Sequence, residues 1–252
     1  AACRQTAQLI EASGVKRVRM GWCDVHGMLR GKTLMAPAAI HALRGDVLAR
    51  AAERRVPPVE SWKNGRAHMV GYVGVMGEQE GIDLLIAAAE HIVRQMGRED
   101  IQFVLVGGGP ALAQLQALAA DRRLADYITF AGRAPDKDLF AVLSTMDLGV
   151  NPDRVNAMND KSTMNKIMEY MSLAKPMVQF DVTEGRFSAQ DASLYARAND
   201  PVDLAEKIVA LVDDPDARAR MGALGRARVE NELGWQHQIA PLLDAYRQAL
   251  AD

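Results

Sequence analysis

Residues 69–110 read MVGYVGVMGEQEGIDLLIAAAEHIVRQMGREDIQFVLVGGGP. An apolar run, a glycine-bearing loop, a helical stretch, a second apolar run and a second glycine loop follow one another without interruption. Over 81–96, Ile82, Leu85, Ile86, Ala89 and Val93 recur at helical spacing and leave Glu90 and Arg94 off the stripe. The flanking runs, 69–75 and 101–106, carry apolar residues on both faces, with Gln102 as the one polar side chain of the second, so both of their faces must be covered. Strand, crossover helix and strand of this kind predict a parallel βαβ unit.

The pattern continues outward. Further strands are expected at 128–130, 148–151, 176–180 and 194–196, and further helices near 111–120, 136–145, 164–174 and 201–213, with helical tail segments over 217–233 and 239–250. The expected fold class is α/β, a doubly wound parallel sheet. Upstream the reading is different: a short helix over 6–13 stopped by Gly14, then strands over 15–23 and 28–35 around the turn Asp24-Val25-His26-Gly27, a hairpin signal. Residues 46–68 carry Pro57-Pro58 and a polar run without periodicity. The expected organisation is a short N-terminal segment (1–56), a linker (57–68) and a ligand-binding domain (69–252).

Composition limits the function classes. The 252 residues are 49% hydrophobic and 25% charged, the balance of a folded globular chain. No apolar run approaches the length of a membrane span, and the start of the chain does not read as a secretory signal. Two cysteines, Cys3 and Cys23, cannot form a disulfide scaffold and point to a reducing, cytoplasmic setting. The net charge of −2 argues against a general nucleic-acid binder. That charge is unevenly spread: residues 1–56 hold ten Lys/Arg against four acids, and the remainder holds 20 against 28.

In an open parallel sheet, ligands bind beyond the carboxyl ends of the strands. There the sequence places Gly74 and Gly77, Gly107-Gly108-Gly109, Gly132-Arg133, and the long segment 151–163. Glycine permits close backbone approach, and a following helix start offers free N–H groups to an anion. Tight turns alone would also explain each glycine. A dinucleotide fingerprint is incomplete, because Leu112 stands where the third glycine belongs, and no P-loop motif occurs. The segment 159–176, NDKSTMNKIMEYMSLAKP, places Ser162, Thr163 and Asn165 at a helix start and Lys166 three residues before Glu169. A solvated intrahelical ion pair is the plain alternative for those two. The five histidines are scattered and no Cys/His set has ligand spacing, so neither a metal nor another cofactor is expected.

Residues 69–250 resemble the C-terminal, nucleotide-sugar-binding domain of family 4 retaining glycosyltransferases, a Rossmann-like half of the GT-B fold. The stretches that carry the resemblance are GYVGVMGEQEGIDLLIAAA (71–89), FVLVGGGP (103–110), ITFAGRAPDKDL (128–139), DLGVNP (147–152), STMNKIMEYMSLAKPMVQFD (162–181) and NDPVDLAEKIVALVDDPDARARMGALGRARV (199–229). The resemblance implies a nucleotide-diphosphate sugar donor and a role in cell-surface polysaccharide or glycan synthesis. It implies that Glu169 holds the donor ribose, that Lys166 and the Thr163–Asn165 helix start face the departing diphosphate, with Lys166 as the catalytic cation, and that the backbone at Arg133-Ala134 contacts the base. Gly74, Gly77 and Gly108 line the same donor site.

Three positions depart from the family pattern: Lys161 stands for the glutamate that holds the donor sugar, and Val75 and Glu80 stand for the cations of the first glycine loop. Residues 15–34, VKRVRMGWCDVHGMLRGKTL, resemble the start of the β-grasp domain of glutamine synthetase-like ligases over about 35 residues. The acceptor side of a glycosyltransferase is expected from another domain, a partner chain or a homo-oligomer, and peripheral membrane contact stays open. Two other readings also stay open, a binding-only module for nucleotide sugars and a ligase fragment.

Overall fold

Eight strands and seven α-helices account for most of the residues that the computed structural model describes, namely 17–23, 29–35, 56–234 and 237. Strands β1 (Arg17–Cys23) and β2 (Leu29–Met35) form an antiparallel pair, in register from Arg17 opposite Met35 to Cys23 opposite Leu29. The expected helix at 6–13, the turn at 24–27 and the tail helix at 239–250 lie outside the described residues. Residues 54–229 form one compact unit, and residues 1–53 with 230–252 belong to a second.

Within 54–229, six strands build one all-parallel sheet: β3 (His68–Val73), β4 (Ile101–Val106), β5 (Ile128–Gly132), β6 (Leu148–Asn151), β7 (Met177–Phe180) and β8 (Ser193–Ala196). Their spatial order is β5-β4-β3-β6-β7-β8. The chain builds outward from β3 in one direction, then returns to the other side of β3 and builds away again. That is the doubly wound arrangement expected from the alternation of strands and helices, and it puts a topological switch point between β3 and β6.

The helices are α1 (Ile82–Arg94), α2 (Leu112–Asp121), α3 (Asp136–Thr145), α4 (Asn165–Ser172), α5 (Thr183–Ala189), α6 (Pro201–Asp213) and α7 (Pro215–Arg228). Every member of the predicted α1 stripe, Ile82, Leu85, Ile86, Ala89 and Val93, is buried. Each large aliphatic side chain so covered contributes ~1.5–3 kcal/mol relative to exposure. They pack with Tyr72, Phe103 and Phe180 of the sheet in one continuous core. Helices α6 and α7 start alike. Asp200 and Asp214 accept hydrogen bonds from first-turn N–H groups, and Pro201 and Pro215 follow, where a missing N–H costs nothing.

Strand β4 is buried along its whole length and yet contains Gln102. Its amide is satisfied on both sides: Oε1 accepts from Arg66 at 2.8 Å, and Nε2 donates to Thr129 Oγ1 at 3.0 Å. The stretch read as a linker is held to the same unit. The Val59 N–H donates to Thr145 Oγ1 at 2.8 Å, and Arg66 stacks over the Tyr127 ring. Helix α5 was not expected. It has seven residues, too few to display an apolar stripe.

Candidate functional site

The carboxyl ends of β3, β4 and β5 carry the three glycine loops, and hydrogen bonds stitch them together. The Gly74 N–H donates to Val106 O at 3.0 Å, Met76 N–H to Gly108 O at 3.2 Å, Gly107 N–H to Gly132 O at 2.8 Å, and Ala111 N–H to Met76 O at 3.0 Å. Gly107 has φ +140°, and a Cβ there would run into the Gly74 carbonyl. Only glycine lets the first two loops touch in this way. Gly108 lies under the side chain of Arg133, which is exposed to solvent. The Gly77 N–H is taken by Glu80 Oε2 at 3.0 Å.

On the other side of the switch point, β6 ends in Asn151 and is followed by Asp153, both 1% exposed. Helix α4 brings Lys166 to them from its first turn. Its Nζ donates to Asn151 Oδ1 at 3.0 Å and to both carboxylate oxygens of Asp153, at 2.7 and 2.9 Å. The Tyr72 ring lies below, its centroid 5.3 Å from Nζ. A Cβ on Gly74 would stand 2.8 Å from the Tyr72 hydroxyl and 3.3 Å from Lys166 Cε, so the lysine stem passes directly against the first glycine loop. Behind Asn151 the polar chain continues through its Nδ2 to Gln179 Oε1 at 3.4 Å.

Lys166 is therefore buried and pairs with Asp153; the solvated pair with Glu169, the plain alternative read from the sequence, does not form. Glu169 is half-buried on the same helix, and among the described residues no side-chain hydrogen bond reaches its carboxylate. Burial pushes the Glu169 carboxyl above its ordinary range, and Lys166 partly opposes that. Burial likewise raises Asp153, against the pull of Lys166, with Glu80 adding to the rise.

The loop between β6 and α4 is anchored at several points. Arg154 pairs with Asp83 and donates to Glu78 O at 3.1 Å. Asn159 is buried and donates to Gln79 O at 3.0 Å and Arg154 O at 2.9 Å. Asp160 Oδ1 accepts the Thr183 N–H at 2.8 Å, and Thr163 Oγ1 donates to Glu184 Oε2 at 2.9 Å. The start of α4 is thus held at the sheet edge with Asn165 exposed at its first position.

The site residues expected from the sequence fall into two contacting groups, Gly74 with Lys166 and Gly108 with Arg133, bridged by the bond from Met76 to Gly108. Gly77 lies farther along the first loop, and Thr163 and Glu169 belong to the α4 side. The sequence reading missed Asn151, Asp153, Tyr72 and Tyr170. The available signal was Asn151-Pro152-Asp153, polar residues closing an otherwise apolar strand. No cluster of His, Cys, Asp and Glu suited to a metal ion occurs among the described residues. No helix among them is long and apolar enough to cross a membrane.

Residues 67–214 match the family described as glycosyl transferases group 1. Among individual proteins, the chain is 30% identical over 178 residues to an alpha-D-kanosaminyltransferase of Streptomyces kanamyceticus, covering 70% of this chain and 43% of that protein. It is 29% identical over 161 residues to a GDP-mannose-dependent monoacylated alpha-(1-6)-phosphatidylinositol monomannoside mannosyltransferase of Corynebacterium glutamicum, covering 63% and 41%. The chain spans less than half the length of these two relatives. The structure of Anabaena Alr3699/HepE, solved in complex with UDP and glucose, superimposes with a TM-score of 0.63 at 14% identity, covering 86% of this chain and 61% of that one. That likeness shows a shared fold. With the family match extending from the first strand of the parallel sheet through α6, this chain belongs to the glycosyl transferases group 1 family.

Proposed function

We propose that residues 54–229 are the donor-binding half of a retaining glycosyltransferase that uses a nucleotide-diphosphate sugar for polysaccharide or glycan synthesis in the cytoplasm. The observation that carries this reading is the convergence at one switch point of touching glycine loops, the first turn of α4 and the buried Lys166. In this reading the N–H groups at Thr163, Asn165 and Lys166 face the diphosphate, where free helix-start donors favour negative charge. Gly74, Gly77 and Gly108 let the backbone approach the donor. The Arg133-Ala134 backbone meets the base, and Glu169 accepts hydrogen bonds from the ribose diol, a task suited to a carboxylate without other partners.

The chemistry follows from those placements. The bond from the anomeric carbon to the diphosphate oxygen breaks, and its electron pair stays on that oxygen. The acceptor hydroxyl oxygen bonds to the same face of the anomeric carbon, and its proton leaves with the diphosphate. Helix-start dipoles lower the barrier by facing the growing negative charge, and Lys166, the cation behind them, contributes what its pairing with Asp153 leaves. The acceptor is presented by a second domain or chain, since donor binding alone does not position its hydroxyl. The GDP-mannose dependence in the name of one relative supports the donor class.

The test is calorimetric titration of the purified chain with UDP-, GDP- and ADP-sugars, followed by transfer assays with lipid-linked acceptors. Micromolar to millimolar binding of one donor class is expected; failure of all three to bind refutes the reading. A second reading, nucleotide-sugar binding without turnover, is favoured by one observation. Val75, 59% exposed, and Glu80 occupy the positions where the family pattern has cations. Binding without transfer, even with an acceptor domain supplied, selects it.

A further inference from the structure

The reaction just proposed uses Lys166 but gives no role to its partner. Asp153 is 1% exposed and offers both oxygens to one ammonium, while Asn151 takes the third N–H. The lysine thus has no hydrogen left to donate. A buried ion pair is a poor way to gain stability, because desolvation of the two charges offsets their attraction, and an apolar pair of like volume does as well. Its position against Gly74, at the point where β3, β6 and α4 meet, is the place where a diphosphate would lie. Glu80, from the first glycine loop, and Glu169, from α4, are the other carboxylates whose fields reach the pair. Neither brings positive charge.

We propose that Asp153 is a positioning residue that sets the charge of the donor site through Lys166: it holds the lysine stem against the glycine loop and cancels its charge. The inference rests on the donor-site reading above. A nucleoside diphosphate is then held by oriented N–H groups rather than by net attraction, and the product diphosphate leaves without having to break from a bare buried cation. At a pH above the raised pKa of Asp153, the charge of the pair is zero in the natural protein, +1 in Asp153→Asn, −1 in Lys166→Met and zero again in the double variant. Screening by salt is weak at a buried position, so the affinity for a diphosphate should follow that order.

The experiment measures binding of UDP, GDP and ADP, with uridine, guanosine and adenosine as controls, to the full-length chain and the three variants, along a pH series that extends above the raised Asp153 pKa. For the diphosphate that binds, Asp153→Asn is expected to bind on the order of tenfold tighter, Lys166→Met on the order of tenfold weaker, and the double variant close to the natural protein. The matching nucleoside should not distinguish the four. A merely structural tether would weaken binding in both single variants and leave the double no better than Lys166→Met, and that result overturns the proposal. So does an unchanged affinity in Asp153→Asn. Should Asp153→Asn fail to fold, the comparison of Lys166→Met with the double variant decides alone: recovery of affinity supports the proposal and no recovery overturns it. If the natural protein binds none of the three diphosphates, the donor-site reading itself falls, and this inference with it.

Discussion

The hydroxyl of Tyr170 joins the two central strands of the sheet from above: it accepts the Val73 N–H at 3.0 Å and donates to Val150 O at 3.3 Å. Strands β3 and β6 diverge at their carboxyl ends, which leaves the Val73 N–H without a strand partner. A side chain from the following helix supplies the acceptor. The same contact ties α4, and so Lys166 and Glu169, to the switch point. Burial and the nearby carboxylates Glu169 and Asp153 push the Tyr170 hydroxyl well above its ordinary pKa, so it remains a neutral donor and acceptor.

Tyr170→Phe keeps the ring in the core and removes only the hydroxyl. The N–H of half-buried Val73 then loses its acceptor, which costs about 1 kcal/mol and up to ~3 if water does not reach it. Denaturant unfolding should show a lowered midpoint with an unchanged slope. A loss under half a kilocalorie would mean that Val73 finds another acceptor.

Helix α4 ends with Ala174 in the left-handed region, at φ +54°. The N–H of Ala174 bonds to Met171 O and that of Lys175 to Tyr170 O, the paired bonds of a helix end usually closed by glycine. Ala174 is exposed, so its methyl group gains little from packing. Ala174→Gly is therefore expected to stabilise the protein by about 0.5–1 kcal/mol, with glycine's greater unfolded-state entropy already subtracted. Thermal unfolding of the two proteins side by side checks the sign.

Glu169 combines a raised pKa with a proposed ribose contact. Hydrogen bonds from a diol favour the carboxylate, so nucleoside binding should weaken as pH falls through the folded pKa of Glu169. Burial puts that transition above the ordinary glutamate range. For stability the sign is opposite to that of a salt-bridged carboxylate. A raised folded pKa means that the native state holds the proton more tightly than the unfolded chain. Its contribution is present at low pH and is lost as pH rises from the unfolded to the folded value. Glu169→Gln should remove both dependences. Glu169→Ala should weaken diphosphate and nucleoside alike by ~1–3 kcal/mol. Titration calorimetry between pH 5 and 8 reads the binding and denaturant unfolding over the same range reads the stability; a binding profile unchanged in Glu169→Gln rules out the ribose assignment.

Much of the sheet was legible without coordinates. Strands β4 and β6 fall at the positions read from the sequence, 101–106 and 148–151, because a strand covered on both faces is mostly apolar on both, with Gln102 and Asn151 as the polar exceptions, and that is a local property of the chain. The glycine loops were legible for the same reason: close approach and left-handed backbone require particular residues wherever the chain happens to lie. The partner of Lys166 was not. Along the helix its neighbour is Glu169, three residues away; in the structure its ammonium meets Asp153 and Asn151, thirteen and fifteen residues back, across the end of β6. Tyr170 likewise bonds to Val73, 97 residues earlier. Which strand lies beside which is decided by crossovers that return the chain to the far side of β3. Periodicity records which side of an element faces the core, whereas the identity of the groups waiting there depends on the packing of distant segments.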